Sequence, residues 1–312
     1  VTRARWVVFA YHTIGARALE ALVTSGEHVA AVVTHADDPG ERIWFESVAE
    51  VARIHRIACL TPPSPNLPET IERVRELTPD LILSVWYRRL LGPELLALPR
   101  IAALNLHGSL LPAYRGRAPL NWAIVHGESR TGITLHHMTA VADAGDIVGQ
   151  RAIDIEPDDT AFTVYERMTK IGVELLLESY PAVLADTAPR IPQDPRLATT
   201  MPRRRPEDGR IEWTWPAARI FNMIRAVAEP YPGAFVGDGP ARVHLWAASI
   251  HEDSASDAAP GTVVEIVPAR GIAVATGGGV ILITRVQSAG GVAEPADRWA
   301  ARRAVRPGTR LG

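Results

Sequence analysis

"IAALNLHGSLLPAYRGRAPLNW", residues 101–122, is where the fold of this chain and its chemistry are read together. The first seven residues are apolar except for Asn105 and His107, and Gly108 then ends the run. That pattern predicts a buried strand with Asn105 and His107 on one face and Leu104 and Leu106 on the other. A long irregular loop follows at once, and such loops are often functional. An amide and an imidazole are thus expected side by side at the carboxyl end of a strand.

Upstream, "RWVVFAYH" (5–12), "HVAAVVTH" (28–35), "IACLTP" (57–62) and "DLILSVWY" (80–87) read as strands. Between them "IGARALEALVTSG" (14–26), "SVAEVARIHR" (47–56) and "PETIERVRELT" (68–78) read as helices, the first stopped by Gly26 and the last with Leu67, Ile71, Val74 and Leu77 at core spacing. Alternating elements with continuous apolar strands predict an α/β fold, a parallel sheet covered by helices on both faces. Ligands dock outside the carboxyl ends of such strands. No G-x-G-x-x-G follows the first strand, so the dinucleotide fingerprint is absent.

Downstream come "TGITLHHMT" (131–139), "GDIVGQRAIDI" (145–155) and a helix over 161–184, with Thr160 as its N-cap after Asp158 and Asp159. Pro181 is expected to kink or end that helix. A proline-rich stretch then reads as a linker, dividing the chain into 1–188, a linker at 189–206, and 207–312. The last segment shows a strand and helix over 210–230 and then short strands separated by turns, a small β-barrel-like (OB-like) domain.

Of the 312 residues, 47% are apolar and 22% charged, and the net charge is −2. This balance excludes a global field that drives the chain onto nucleic acid or anionic lipid. Cys59 is the single cysteine, which excludes an internal disulfide and a multi-cysteine zinc site. No apolar run approaches the ~20 residues of a membrane span, and the N-terminus reads as a first strand rather than a signal peptide. A cytoplasmic protein is expected. Lys170 is the only lysine, and the preference for arginine reads as coding bias.

Taken alone, N-x-H is equally a polar pair satisfied by backbone at a strand end. The loop and "ADAGDIV" (142–148), which sets Asp143 in a small-residue turn, weigh against that. A carboxylate near His107 raises the imidazole's affinity for a proton. Amide, imidazole and carboxylate suit acyl transfer to an amine: His107 takes the amine proton and the Asn105 N–H stabilises the oxyanion. Ser109 has no G-x-S-x-G elbow and reads as a cap on the loop backbone. His136 and His137 are adjacent and point to opposite faces, and no H-E-x-x-H or cysteine pair occurs, so no metal is expected. "ATGGGV" (275–280) reads as a turn between strands. Tyr11 and His12 either line an acceptor pocket or simply finish the first strand.

"NLHGSLLPAYRGRAPLNWAIVHGESRTGITLHHM" (105–138) with "DAGDIV" (143–148) resembles the folate-dependent formyltransferase family. The resemblance implies a Rossmann-like catalytic domain, a linker and a C-terminal barrel-like domain, with 10-formyltetrahydrofolate as co-substrate. It implies Asn105 as oxyanion stabiliser, His107 as proton-transfer group and Asp143 as the group that tunes it. Arg89, Leu90, Leu91, Arg117, Thr139, Ala140, Val141, Ala142 and Asp143 fall at the positions that hold the folate. Leu90 and Leu91 read equally well as plain core.

Within the family, "FAYHTIG" (9–15), "THADDPGE" (34–41), "RGRAPLNW" (115–122), "RRRPEDG" (203–209) and "RAVAEPYPGAF" (225–235) are similar to members that act on UDP-4-amino-4-deoxy-L-arabinose in lipid A modification. That implies a nucleotide-sugar acceptor, with Tyr11, His12 and Arg204 as candidate contacts. Many such members carry a fused NAD-dependent decarboxylase. None follows here, so only the transfer step is expected. Other acceptors remain open: initiator methionyl-tRNA, another amino sugar or amine, or water in a deformylating hydrolase. The F-x-G-T-P and R-G-A-A-P-I-Q-R of methionyl-tRNA formyltransferases are absent, and no broad basic face is expected. A non-catalytic folate- or nucleotide-binding regulator is the reading from another class, and the intact Asn–His–Asp set argues against it.

Overall fold

The computed structural model describes residues 3–251 and 256–312. The elements run β1 (Arg5–Ala10), α1 (His12–Thr24), β2 (His28–Val33), α2 (Val48–Ile54), β3 (Ala58–Leu60), α3 (Pro68–Glu76), β4 (Leu81–Val85), α4 (Pro93–Leu96), β5 (Ala102–His107), β6 (Arg115–Gly116) and α5 (Pro119–Val125). They continue as β7 (Arg130–His137), β8 (Ile147–Asp154), α6 (Ala161–Leu184), β9 (Thr200–Met201), α7 (Ala217–Val227), β10 (Ala234–Val236), β11 (Val243–His251), β12 (Val263–Val267), β13 (Gly271–Ala275), β14 (Val280–Ser288), β15 (Glu294–Pro295) and α8 (Ala296–Arg302). Two compact units form. The first holds Val1–Pro119, Arg130–Asp154 and Tyr165–Pro202, and the second Leu120–Ser129, Ile155–Val164 and Arg203–Gly312. Residues 189–202, expected as linker, lie within the first unit. No helix among the described residues is long and apolar enough to cross a membrane.

The first unit is built on a seven-stranded sheet of order β3-β2-β1-β4-β5-β7-β8. The pairs from β3 to β5 are parallel, and β5–β7 and β7–β8 antiparallel. All five residues of β4 are buried, as a strand with covered faces demands. On one face Ile71 and Val74 of α3 and Leu95 of α4 join Val7, Phe9, Ile82 and Ala103 in a core cluster. On the other, α6 lies so close that a Cβ at Gly172 would come within 2.4 Å of Ile133 and 3.3 Å of Leu106.

Local chemistry accounts for the helix starts. Ser47 caps α2 by accepting from the Glu50 N–H at 3.2 Å. Proline opens α3, with Glu69 in its first turn and Arg73 and Arg75 in its last, matching the helix dipole. Thr160 Oγ1 accepts from the Thr163 N–H at 3.3 Å, as expected of the cap of α6. Pro181 does not end α6, which runs on to Leu184. A proline one turn from the end removes one backbone donor and leaves the earlier turns intact.

The second unit is an antiparallel sheet of order β10-β11-β14-β13-β12, with β15 on β14. Among the described residues this path has two ends, the partly open form that small barrel-like domains allow. α7 packs on β11 and α8 on β13 and β14. Residues 276–279 form the turn between β13 and β14, closed by Thr276 Oγ1 donating to the Gly279 carbonyl at 2.8 Å.

Leu104 is wholly buried in the middle of β5, with polar neighbours on the opposite face. Leu104→Ala should cost about 2–5 kcal/mol, seen as a lower urea midpoint at unchanged slope.

Candidate active site

The strand order reverses between β1 and β4, and β5 follows on the same side. The carboxyl ends of these strands bring Tyr11 and His12, Trp86, and His107 to one rim. His12 (φ +70°), Trp86 (+54°), Tyr114 (+59°), Ala118 (+49°) and Asp143 (+55°) all take left-handed backbone, which non-glycine residues hold only when their surroundings impose it. Of these, Tyr114 and Asp143 touch His107 directly.

Strand parity brings Asn105, His107 and His136 together. β5 and β7 pair with Asn105 opposite His136 and His107 opposite Thr134. Asp143 reaches them from the turn between β7 and β8, its Oδ1 3.4 Å from His107 Nδ1 and 3.3 Å from Asn105 Nδ2. Its Oδ2 accepts the Gly116 N–H at 2.8 Å. Burial works to raise the Asp143 carboxyl, but His107, His136 and the Gly116 N–H outweigh it and hold the carboxyl well below the usual range.

Protons are short at this site. His107 Nε2 faces the Tyr114 carbonyl at 2.9 Å, while Nδ1 faces Asp143. Both neighbours are acceptors, and a neutral imidazole carries one N–H. Burial pushes His107 below its ordinary pKa, with Asp143 and the Tyr114 carbonyl pulling the other way. Burial and the two acceptors thus oppose one another, and a proton on each ring nitrogen completes both contacts. The arrangement suits a group that accepts a proton.

His136, absent from the sequence-derived set, completes the cluster. It is 1% exposed, and its Nδ1 lies 2.8 Å from the His137 carbonyl, which places the proton there. Its Nε2 is then an acceptor, 3.1 Å from Asn105 Nδ2. Asn105 thus gives its two N–H groups to His136 and Asp143. Only the β5–β7 register could have revealed this. The adjacency of His136 and His137 showed merely that they diverge. Ser109 Oγ donates to the Ala113 carbonyl at 2.6 Å, which makes it a loop tie, not a nucleophile.

The remaining expected residues divide. Leu91 is 6% exposed, and its side chain packs in the core cluster of α3 and α4. Arg89 and residues 139–142 are exposed, as is Leu90 at 67%. Arg117 Nη2 donates to the Arg88 carbonyl. A cavity of about 360 Å³ is lined by Leu96, Ala103, Met138, Thr139, Gly145 and Arg190 among others, and of the expected folate positions Thr139 borders it.

Tyr11 is buried, gives its hydroxyl to Asp37 at 3.1 Å and lies under the Arg88 guanidinium at 4.5 Å. Burial pushes that hydroxyl up to about 12. His12 stacks on Phe45 at 3.8 Å, with Nδ1 3.3 Å from Tyr165 Oη, and burial pushes it down to about 3. Arg204 belongs to the second unit, where its guanidinium lies 4.7 Å over the Trp122 ring and donates to the Asp208 carbonyl at 3.0 Å.

Residues 4–180 match the family described as formyl transferase, and residues 204–304 match the formyl transferase C-terminal domain. The chain belongs to the formyl transferase family. Its fold is shared with HypX from Aquifex aeolicus, solved in complex with tetrahydrofolic acid, at 21% identity and a TM-score of 0.65. That match covers 96% of this chain and 47% of HypX, so the chain spans about half the length of HypX. WlaRD, a sugar 3N-formyl transferase solved in the presence of dTDP and 5-N-formyl-THF, is 18% identical with a TM-score of 0.68, covering 90% of this chain and 97% of that one. The N-formyltransferase from Helicobacter canadensis, in complex with folinic acid and dTDP-3-aminofucose, is 18% identical with a TM-score of 0.67, covering 90% and 99%.

His35 offers a pH test of the rim. It stacks on Tyr87 at 4.2 Å, and its Nε2 accepts the Arg88 N–H at 3.0 Å, a role only the neutral ring can fill. Burial foremost, then Arg88, push it down to about 4. A histidine depressed in the folded state stabilises fully above the unfolded value of about 6.5 and loses that contribution as pH falls to about 4. Stability measured by urea titration should fall over that window, and His35→Phe should flatten the slope.

Proposed function

We propose that the chain transfers a formyl group from 10-formyltetrahydrofolate to the amine of a nucleotide-linked 4-amino sugar, with UDP-4-amino-4-deoxy-L-arabinose the acceptor that its sequence favours. The observation that carries this is His107, buried, faced by two acceptors and flanked by Asn105 at the rim of the sheet. His107 takes the proton of the attacking amine and becomes the imidazolium that Asp143 and the Tyr114 carbonyl are placed to hold. Asn105 donates an N–H to the oxyanion of the tetrahedral adduct, which competes for a donor now resting on His136 or Asp143. Collapse breaks the bond from carbon to the folate nitrogen, and His107 returns a proton to that nitrogen. The products are the formamide and tetrahydrofolate.

The exposed loop 139–142 with Arg89, Leu90, Leu91 and Arg117 is the proposed donor site, and a cavity lined by Ala103, Met138 and Thr139 adjoins that loop. Tyr11 and His12 are the proposed acceptor contacts on the first unit. The folate and amino-sugar ligands of structurally similar formyltransferases support the donor and the class of acceptor. The uridine, the 4-amino position and the place in lipid A modification rest on the sequence resemblance.

Incubation with 10-formyltetrahydrofolate and UDP-4-amino-4-deoxy-L-arabinose should add one formyl group to the sugar nucleotide, read by mass spectrometry. Asn105→Ala and His107→Ala should each lower kcat roughly 10²–10⁴-fold. No transfer to any amino-sugar nucleotide, together with a gel shift on charged initiator tRNA, would move the assignment to tRNA.

A further inference from the structure

Both groups that face the ring of His107 are held by one stretch of chain, residues 193–201. Gln193 Nε2 donates to the carbonyls of Asp143 at 2.8 Å and Gly145 at 2.7 Å. Its Oε1 accepts from Arg115 Nε at 3.1 Å and Nη2 at 2.7 Å. Two acceptors on one side and a guanidinium on the other settle which way the amide lies. Arg115 precedes Gly116, whose N–H binds the Asp143 carboxylate. Gln193 therefore ties together the two turns that meet at that carboxylate.

The opposite pole of the ring is tied by the same stretch. The Tyr114 N–H donates to Thr199 Oγ1 and the Arg115 N–H to the Thr199 carbonyl, each at 2.8 Å. β6 and β9 pair in parallel, and the Arg117 N–H donates to the Met201 carbonyl at 3.0 Å. The approach is tight enough to require glycine. Gly116 has φ +95°, and a Cβ there would lie 2.5 Å from the Met201 carbonyl oxygen.

We propose that residues 193–201 form a strap belonging to the catalytic apparatus, in which Gln193 is a positioning residue that fixes the Asp143 carboxylate against His107. The inference rests on the proposed role of Asp143 as the group that tunes His107. Gln193 acts without reaching the reacting atoms. Asp143 sits at φ +55°, a backbone state that needs outside support, and the two carbonyl bonds from Gln193 supply it.

A double-mutant cycle of Gln193→Ala and Asp143→Asn tests this, read by NMR titration of the His107 imidazole and by kcat with the substrates named above. The titration requires no substrate. Asp143, His136 and Arg115 are the charged or titratable groups that act on the ring. Loosening Asp143 removes the influence that raises the affinity of His107 for a proton. Gln193→Ala should therefore shift the His107 titration to lower pH and reduce kcat roughly 10- to 100-fold. In the Asp143→Asn background the same substitution should change neither. Gln193→Glu keeps an acceptor for Arg115 but cannot donate to the two carbonyls, and should behave like Gln193→Ala. An undiminished effect in the Asp143→Asn background, an unchanged titration beside a lowered Tm, or a wild-type Gln193→Glu would each overturn the strap. If Asp143→Asn alone leaves the His107 titration in place, the reading of Asp143 fails first.

Discussion

A carboxylate pressed against a buried imidazole is the constraint around which the first unit is organised. Neither group tolerates burial alone, since each loses hydration that only a partner can replace. Here the partners are shared. Asp143 has His107, His136, Asn105 and the Gly116 N–H within reach, and His107 has Asp143 and the Tyr114 carbonyl. The cluster has more acceptor positions than protons to fill them.

The sheet and the loops divide the task. Strand alternation and register put Asn105, His107 and His136 on one face with little freedom, because the reverse faces are packed apolar. The loops supply the acceptors, and they do so in strained backbone at Tyr114 and Asp143. Rigid strands and tied loops together hold the geometry that proton transfer depends on.

Much of this was legible in the residues themselves. The apolar runs announced the strands, and alternation alone placed Asn105 beside His107. Asp143 could be named because its small-residue turn and the loop after Gly108 have the look of a site. What escaped was what depends on distant chain returning to the sheet. His136 becomes a partner of Asn105 only through the antiparallel register of β5 and β7, which no local pattern encodes. Gln193 lies in a stretch whose prolines suggested a tether, and its four hydrogen bonds exist only because the chain doubles back along the first unit. Leu91 reads equally as ligand contact and as core from the sequence, and its side chain packs with α3 and α4. Pro181 stands one turn from the end of its helix, which runs on to Leu184.

The pairing of β6 with β9 has a consequence for the order of assembly. A chain made from its N-terminus completes every strand of the seven-stranded sheet by Asp154, yet the span that locks its working corner arrives only with Thr200 and Met201. On the ribosome the sheet can close while that corner is still slack. A piece ending at the close of α6 would hold all seven strands of the sheet yet lack Gln193, Thr199 and Met201, the partners of that corner.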